Sequence, residues 1–225
     1  LIRADFDLDQ NADSVIWVKQ VDQPEAFGVI NLNEANEIVE LVEKPKEFVS
    51  DLAIIGIYYF KSGETLESEI QYLIDNNIRE KGEYQLTNAM ENMKSKGMQF
   101  VPGAVDEWLD CGNYAATVYT NQRVLVNKAQ EFVGTAARFD ESVTIHEPCF
   151  IGENVSLKNC VIGPHTSIGN NSSIENCTIT NSIVQEQCSL NQFNCHDSLI
   201  GNHVVVKGSG AATQEFSLGD FSSIG

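Results

Sequence analysis

The chain of 225 residues is long enough for one large or two small domains, and its 42% hydrophobic content is ordinary for a soluble protein. No apolar run approaches the roughly 20 residues that a membrane-spanning helix needs, and we expect no signal segment. A formal net charge of −18 opposes binding to nucleic acid or anionic lipid, because both need clustered lysine and arginine. We therefore expect no nucleic-acid and no membrane partner, and an anionic substrate would need a local cation.

Alternating strand-like and helix-like patterns occupy the first part of the chain, which predicts an α/β sheet. The predicted strands are 14–21, 28–32, 38–42 and 52–60, and the predicted helices are 65–77, a segment from Thr87 to near Gly97, and 115–132. The run from Leu52 to Phe60 is almost continuously apolar, which is typical of a central strand buried on both faces.

From residue 145 onward, aliphatic residues recur every five or six positions, with glycine or asparagine often directly after them. The series is Ile145, Ile151, Leu157, Ile162, Ile168, Ile174, Ile179, Val184, Leu190, Ile200, Val206, Leu218 and Ile224. Each corner of a triangular coil points one aliphatic side chain inward, and stacked coils bury these side chains as ladders. The spacing predicts three short strands per coil. A β-sandwich is the alternative, but it would show longer alternating strands and less regular spacing.

Six cysteines are scattered along the chain without a Cys-x-x-Cys pair, at Cys111, Cys149, Cys160, Cys177, Cys188 and Cys195. This spacing disfavours both a zinc site and a disulfide framework. Cys160 and Cys177 are separated by the interval of the coil, so we expect them to stack as buried thiols on successive coils. Reduced cysteines indicate a cytoplasmic protein.

Four motifs follow one another in the first 125 residues: Phe27-Gly28-Val29, Glu43-Lys44-Pro45, Leu52 to Phe60, and Trp108-Leu109-Asp110-Cys111-Gly112. In this order they resemble the sugar-1-phosphate nucleotidylyltransferases, or NDP-sugar pyrophosphorylases, of the glucose-1-phosphate thymidylyltransferase type. The solenoid pattern resembles the left-handed parallel β-helix of hexapeptide repeats that many of these enzymes carry. The resemblance implies a Rossmann-like nucleotidyltransferase of sugar-nucleotide biosynthesis. Such an enzyme joins a sugar 1-phosphate, by default glucose 1-phosphate, to a nucleoside triphosphate and releases pyrophosphate.

The resemblance also assigns roles to individual residues. Lys44 would present a positive charge to the sugar phosphate, and Glu43 would accept hydrogen bonds from sugar hydroxyls. Asp110 would bind the catalytic Mg²⁺, a cation that prefers carboxylate oxygen. Asp110 and Lys44 are the predicted catalytic residues, with Asp110 as the metal ligand. The predicted substrate-binding residues are Gly28, Glu43, Lys44, Ile54, Gly56, Tyr58 and Lys81.

Each assignment has a structural alternative. Glu43 and Lys44 could be a surface pair before a turn, and Gly28 could be a turn glycine after Pro24. Asp110 could cap the following helix, where Asn113 stands in place of the more usual threonine. Strand packing would explain Ile54, Gly56 and Tyr58, and a helix-start cluster would explain Lys81-Gly82-Glu83.

The domain boundaries that we predict are 1–125 for a partial nucleotidyltransferase domain that binds the sugar phosphate, 126–140 for a linker and 141–225 for the β-helix. The family's glycine-rich triphosphate loop and its second metal-binding aspartate are not recognised in these residues. Asp5, Asp7 and Asp9 are interpreted as a solvated acidic loop. We therefore expect a fragment that lacks the nucleotide-binding half, active as the intact protein but inactive alone.

The end of the solenoid carries further expectations. The last coil, Leu218 to Ile224, would expose its aliphatic ladder, so we expect either more chain after Gly225 or a second subunit there, as in a homo-oligomer formed through the β-helix. Residues 208–213 resemble a phosphate loop only superficially and are interpreted as a bulging loop.

Two other functions are open from the sequence. Hexapeptide β-helices also form acyltransferases that use acyl-CoA and a catalytic histidine, for which His146, His165, His196 and His203 are candidates. A non-catalytic scaffold or regulatory subunit is the third hypothesis.

Overall fold

The computed structural model describes residues 2–3, 12–80, 82–129, 139–208 and 212–225. The chain divides into two compact units, Ile2–Trp108 and Leu109–Gly225. The first is an α/β unit and the second contains a parallel β-solenoid, so the predicted fold class is confirmed. The predicted limits at 125, 126–140 and 141 stay a prediction. None of the helices in the described residues combines the length and hydropathy that a bilayer-spanning segment requires.

A five-stranded sheet forms the first unit. The elements are β1 Ile2–Arg3, β2 Ser14–Gln20, β3 Gly28–Leu32, β4 Ile38–Glu43, β5 Leu52–Phe60, α1 Gly63–Asp75, α2 Leu86–Ser95, β6 Phe100–Ala104 and β7 Glu107–Trp108, with a 3-10 turn at Pro24–Ala26. The strand order is β4-β3-β5-β2-β6. Within this sheet β2 and β6 are parallel and the other neighbours are antiparallel, while β1 pairs with β7.

The central strand β5 is only partly as the sequence predicts. It lies in the middle of the sheet, and Ala53, Ile54 and Ile55 are buried. Gly56 is exposed, however, and the residues after it are half-buried. The register with β2 shifts at this point, because Ile16 pairs with Tyr58 whereas Val18 pairs with Ile54. This bulge ends the continuous burial that the apolar run predicts.

Both helices of the first unit begin slightly earlier than predicted. Ser62 caps α1, since its side chain accepts a hydrogen bond from the Thr65 backbone nitrogen. Helix α2 begins at Leu86, so Thr87 lies inside the first turn and is buried instead of opening the helix. Met90 and Met93 of α2 complete the core beneath the sheet.

One helix and fourteen short strands make up the second unit as described. They are α3 Tyr114–Asn127, β8 Val143–Ile145, β9 Cys149–Ile151, β10 Ser156–Lys158, β11 Cys160–Ile162, β12 Thr166–Ile168, β13 Ser173–Glu175, β14 Thr178–Thr180, β15 Ile183–Val184, β16 Ser189–Asn191, β17 Asn194–His196, β18 Leu199–Ile200, β19 Val205–Lys207, β20 Ser217–Leu218 and β21 Ser223–Ile224. The strands form three parallel sheets, ordered β10-β13-β16-β19-β21, β17-β14-β11-β8 and β20-β18-β15-β12-β9. Each of the first four coils therefore contributes one strand to each sheet, and the last coil contributes β20 and β21 to two of them.

The inward-facing positions follow the predicted series with Cys195 as an additional rung, although Ile224 in the last coil is exposed. Ile145, Ile162 and Ile179 pair in register from coil to coil, and the next partner of Ile179 is Cys195. Cys195 is fully buried, so a thiol occupies the aliphatic position. The coil also shortens here, from an interval of 17 residues to one of 16. A search for aliphatic residues at a fixed period therefore misses this rung.

The cysteines are free thiols in the structure, and all but Cys111 are buried. Burial raises the pKa of the Cys195 thiol to about 11, so it stays protonated at neutral pH. Cys160 and Cys177 lie on neighbouring coils, as the register of Val161 with Thr178 requires.

Candidate active site

Gly28 lies at the start of β3, opposite Glu43 of β4. A Cβ atom at Gly28 would lie 2.9 Å from Glu43 Oε2, 3.3 Å from Ile54 Cδ1 and 3.6 Å from Thr87 Cγ2. The backbone of Gly28 does not have a positive φ, so the position needs glycine for space and not for a turn. The structure thus brings Gly28, Glu43 and Ile54 together, with the Glu43 carboxylate and one methyl group each from Ile54 and Thr87 beside the Gly28 backbone. We call these three residues and Thr87 the Gly28 cradle.

Thr87 is a member of the cradle that the sequence analysis did not predict. Its side chain is buried, and its Oγ1 has no hydrogen-bond partner among the described residues. A buried hydroxyl without a protein partner is uncommon in native proteins, and it is available to hydrogen-bond a ligand or water. The only signal in the sequence was a threonine near a helix start, which a capping role explains equally well.

Tyr58 is electrostatically coupled to the cradle. Burial raises the pKa of the Tyr58 phenol above its ordinary value, and the negative charge of Glu43 raises it further. The ring stacks against Phe60 with centroids 6.0 Å apart. Tyr58 is therefore held as a neutral phenol within electrostatic reach of the Glu43 carboxylate.

Gly56 serves the same strand in a different way. Its φ is +80°, and a Cβ atom there would meet nothing within 4 Å. The bulge of β5 needs glycine at this position for its backbone conformation. Gly56 therefore sets the course of the strand between Ile54 and Tyr58.

Lys44 directly follows β4 and has an exposed side chain. Its backbone nitrogen donates to the Phe27 carbonyl at 3.0 Å, which fixes Lys44 beside the segment that leads into Gly28. The φ of Lys44 is +45°, an uncommon value for a residue other than glycine. Phe27 in turn makes an edge-to-face contact with Trp108, with centroids 5.3 Å apart. Strained backbone of this kind is enriched at functional sites.

Lys81 lies outside the described residues. Its neighbours form a short antiparallel bridge between Glu80 and Glu83. Arg79 donates to the Gly82 carbonyl at 3.3 Å and to the Tyr84 hydroxyl at 3.2 Å, and its guanidinium lies 4.4 Å from the centre of the Tyr84 ring. Arg79 is a second cation in this motif that the sequence analysis did not consider.

Asp110 belongs to the second unit, and its side chain is exposed. Thr120 Oγ1 donates to the Asp110 carbonyl at 3.0 Å, which ties the segment to α3. Asn113, not Asp110, caps this helix, because Asn113 Oδ1 accepts from the Ala116 nitrogen at 2.9 Å. Asparagine at this position therefore supplies a cap, as the more usual threonine would.

Asp110 stays a predicted magnesium ligand. A Cβ atom at Gly112 would lie 2.6 Å from Asp110 Oδ2, so the carboxylate occupies space that only glycine leaves there. Within the described residues, Asp110 is not part of any group of three side chains that could hold a metal ion. Mg²⁺ is commonly bound through one or two carboxylates and completed by water and substrate phosphates, so a single exposed carboxylate is a suitable ligand.

The four histidines all lie on the solenoid. His165 and His203 occupy coil corners with positive φ, and the His203 ring stacks on Phe221 with centroids 4.6 Å apart. His196 differs, because its Nδ1 lies 2.7 Å from Asp197 Oδ2. The hydrogen bond with His196 lowers the pKa of the Asp197 carboxyl, and one from Asn181 lowers it further.

Residues 2–126 match the family model described as nucleotidyl transferase. The chain is 30% identical over 228 residues to a glucose-1-phosphate thymidylyltransferase of Streptomyces antibioticus, which covers 93% of this chain and 62% of that protein. It is 28% identical over 209 residues to the low-salt glycan biosynthesis nucleotidyltransferase Agl11 of Haloferax volcanii, covering 83% of this chain and 56% of the relative. A bifunctional protein GlmU of Methanococcus vannielii is 29% identical over 152 residues, covering 64% of this chain and 34% of the relative. The chain thus spans about three fifths of the length of the curated thymidylyltransferases that it matches.

Proposed function

This chain belongs to the nucleotidyl transferase family, and we propose that the intact protein is a sugar-1-phosphate nucleotidylyltransferase that forms an NDP-sugar and releases pyrophosphate. The Gly28 cradle is the observation that carries this proposal. A sugar ring needs close approach to the backbone, an acceptor for its hydroxyls and an apolar wall. The cradle combines these features in one space. Relatives named glucose-1-phosphate thymidylyltransferases favour glucose 1-phosphate as the sugar.

Within the cradle, Glu43 would accept hydrogen bonds from sugar hydroxyls. The Thr87 hydroxyl, which has no partner among the described residues, would form a hydrogen bond with a further sugar hydroxyl. Ile54 would contact the apolar face of the ring. Tyr58, as a neutral phenol, can donate a hydrogen bond, whereas a phenolate could not. Gly56 would keep Ile54 and Tyr58 in position through the bulge.

Catalysis in such a transfer depends on orientation and on charge neutralisation. Lys44 would hold the sugar phosphate through its ammonium group, and Lys81 is proposed as a further substrate-binding cation. Asp110 would hold Mg²⁺, which when bound offsets negative charge on the phosphates. The first unit would thus contribute to catalysis by holding the sugar phosphate in a fixed position and orientation.

The solenoid is proposed to serve stability and assembly, as a homo-oligomer, and not the transfer itself. The protein is further proposed to act in the cytoplasm, where its reduced thiols would persist.

The cradle is tested by filling it. Gly28→Ala places a methyl group 2.9 Å from the Glu43 carboxylate and 3.3 Å from Ile54, so the sugar or the side chains must move. We expect glucose 1-phosphate to bind the intact protein about tenfold or more weakly by titration calorimetry, a change of about 1.4 kcal/mol.

The matched control is Gly63→Ala, which makes the same change at a helix start where nothing lies within 4 Å. This variant should bind glucose 1-phosphate as the parent does. Equal affinity of the two variants would contradict the cradle as the sugar site, and circular dichroism of each variant checks that the fold is kept.

A further inference from the structure

One corner of the solenoid carries three potential metal ligands that the proposed transfer does not use. His196 Nδ1 lies 2.7 Å from Asp197 Oδ2 and 4.0 Å from Glu215 Oε1. One ligand atom from each of the three side chains lies within 4.8 Å of the other two. In the part of the chain that the structure describes, no other group of three histidine, cysteine or acidic side chains is this compact.

The stacking of coils brings these ligands together. Cys195 forms a bridge with Gln214, so the residues after them, His196 and Glu215, are neighbours on successive coils. Parallel strands place equivalent positions about 4.8 Å apart, which is close enough for two side chains to share an ion. The stacking of the coils therefore fixes the backbone positions of His196 and Glu215 beside each other.

A third coil supports the same corner. Asn181 lies one coil before Asp197, and both have left-handed backbone, with φ of +42° and +45°. Asn181 Nδ2 donates a hydrogen bond to Asp197 Oδ1, which orients the carboxylate. Asn181 Oδ1 is buried and accepts no hydrogen bond from any described residue. A water molecule bound to an ion at this corner is a donor that could satisfy it.

The ligand types indicate which ion fits. Carboxylates alone favour Mg²⁺ or Ca²⁺, but an imidazole nitrogen favours Zn²⁺ and its transition-metal neighbours. Zinc sites with an open position have three protein ligands of these types and a water molecule. The three side chains are partly exposed, so an ion could enter without unfolding of the coils.

We propose that His196, Asp197 and Glu215 bind Zn²⁺, or a divalent transition-metal ion of similar preference, and that the ion links two successive coils of the solenoid. In the metal-free protein, a proton between His196 Nδ1 and Asp197 makes their hydrogen bond. When the ion takes the place of this proton at Nδ1, the neutral imidazole carries its proton on Nε2 instead, so the exchange needs no net release of a proton. Site and role are independent of the transfer proposed above.

The role follows from what touches this corner. The Tyr114 hydroxyl, at the start of α3, donates to the Asp197 carbonyl and lies 3.1 Å from the Phe216 carbonyl. These two carbonyls belong to the two coils that the ion would link. An ion here would stabilise the coils and the point at which α3 is anchored to them.

The test measures Zn²⁺ binding directly. Full-length protein without a histidine tag is treated with chelator, and Cys111→Ser removes the exposed thiol as a competing ligand. Equilibrium dialysis should show one bound Zn²⁺ per chain, and the thermal midpoint should rise with the concentration of free Zn²⁺. Co²⁺ should give a visible absorption band that Zn²⁺ abolishes.

Variants locate the site. His196→Ala and Glu215→Gln should each lose the Zn²⁺-dependent rise in thermal midpoint and the Co²⁺ band, and Asn181→Ala should weaken binding about tenfold. His203→Ala is the matched control, because this histidine stacks on Phe221 and should leave binding unchanged. Glu215→Gln keeps size and shape, so it decides the question if His196→Ala fails to fold. Absence of stoichiometric Zn²⁺ binding, or equal binding by Glu215→Gln and His203→Ala, overturns the proposal.

Discussion

Left-handed backbone has different meanings in the sheet of the first unit and in the solenoid. In the solenoid it recurs at one corner of successive coils, at Asn154, Asn171, Gln187, His203 and Phe221. The backbone nitrogens of the last four donate to the preceding coil at 2.8 to 3.0 Å. The repeat thus explains every one of these conformations.

In the sheet unit, positive φ occurs without any repeat: Asn36, Asn77, Gly82 and Gly97 lie in turns and bends, whereas Lys44 directly follows β4 and Gly56 lies within β5. Lys44 directly follows Glu43, which belongs to the Gly28 cradle. Gly56 lies two residues after Ile54 of the cradle and two residues before Tyr58. A conformation that recurs is explained by architecture, whereas an isolated one needs a local reason. The comparison predicts that substitutions in the ladders affect stability and that substitutions at Lys44 and at the residues of the Gly28 cradle affect activity.

The largest effect is expected from a charge in a ladder. Ile168 is fully buried between Ile151 and Val184, so Ile168→Asp would bury an unpaired carboxylate. We expect a loss on the order of 3–5 kcal/mol, or a fall of more than about 10 °C in the thermal midpoint of the solenoid.

Ser173→Asp is the control, because Ser173 is an exposed strand residue of the same solenoid. Its effect should stay within about 0.5 kcal/mol. Calorimetry and light scattering measure both variants. An unchanged midpoint and mass for Ile168→Asp would mean that Ile168 does not face a core.

The solenoid could be predicted almost completely because its signal is repeated. Ile145, Ile162 and Ile179 each repeat the same inward position, so an error at one coil is corrected by the next. The sequence did not predict Cys195 as a ladder position, because a thiol replaces the aliphatic group and the interval between coils shortens at the same place. Packing tolerates such a change, since the thiol is a small apolar group when buried.

The next effect is on turnover and not on stability. Asp110→Ala should lower kcat of the intact protein by about 10²–10³, because a metal-holding carboxylate acts on charge in the transition state. The thermal midpoint should barely change, since the side chain is exposed. Asp106→Ala removes another exposed carboxylate nearby in sequence and should leave kcat unchanged. Near-normal turnover of Asp110→Ala at saturating Mg²⁺ would remove Asp110 from the mechanism.

Lys44→Ala should have a smaller and different effect. Loss of a charged hydrogen-bond donor to the sugar phosphate should raise KM for glucose 1-phosphate and lower kcat/KM by about 10- to 100-fold. Lys46→Ala, an exposed lysine two positions further on, is the matched control. If KM is the same in both variants, Lys44 is a surface residue before a turn.

The site was less predictable than the fold because its members are brought together by tertiary contacts. Glu43 and Lys44 are recognisable as a motif, but nothing in the sequence shows that Thr87, from α2, closes the same space as Gly28. The apolar run of β5 does not predict the bulge at Gly56 either, because the sequence does not distinguish an exposed glycine from a buried one. Isolated features of this kind are not repeated anywhere in the chain, so no second copy supports the inference.

The smallest effect tests the electrostatics of the cradle without any substrate. Burial is the main cause of the raised pKa of Tyr58, and the Glu43 charge is the second. Glu43→Gln removes that charge and makes the phenolate less unfavourable, so the Tyr58 pKa should fall. It should remain above its ordinary value, because the burial is unchanged.

The titration is followed by NMR of tyrosine labelled at Cζ, with Tyr58→Phe identifying the signal among the six tyrosines. Glu40→Gln, an exposed glutamate on the same strand β4, should leave the Tyr58 titration where it is. If the Tyr58 pKa is the same in Glu43→Gln and in the parent, the Glu43 charge does not act on the Tyr58 phenol. Tyr58 would then no longer belong with the residues of the Gly28 cradle as one sugar-binding site.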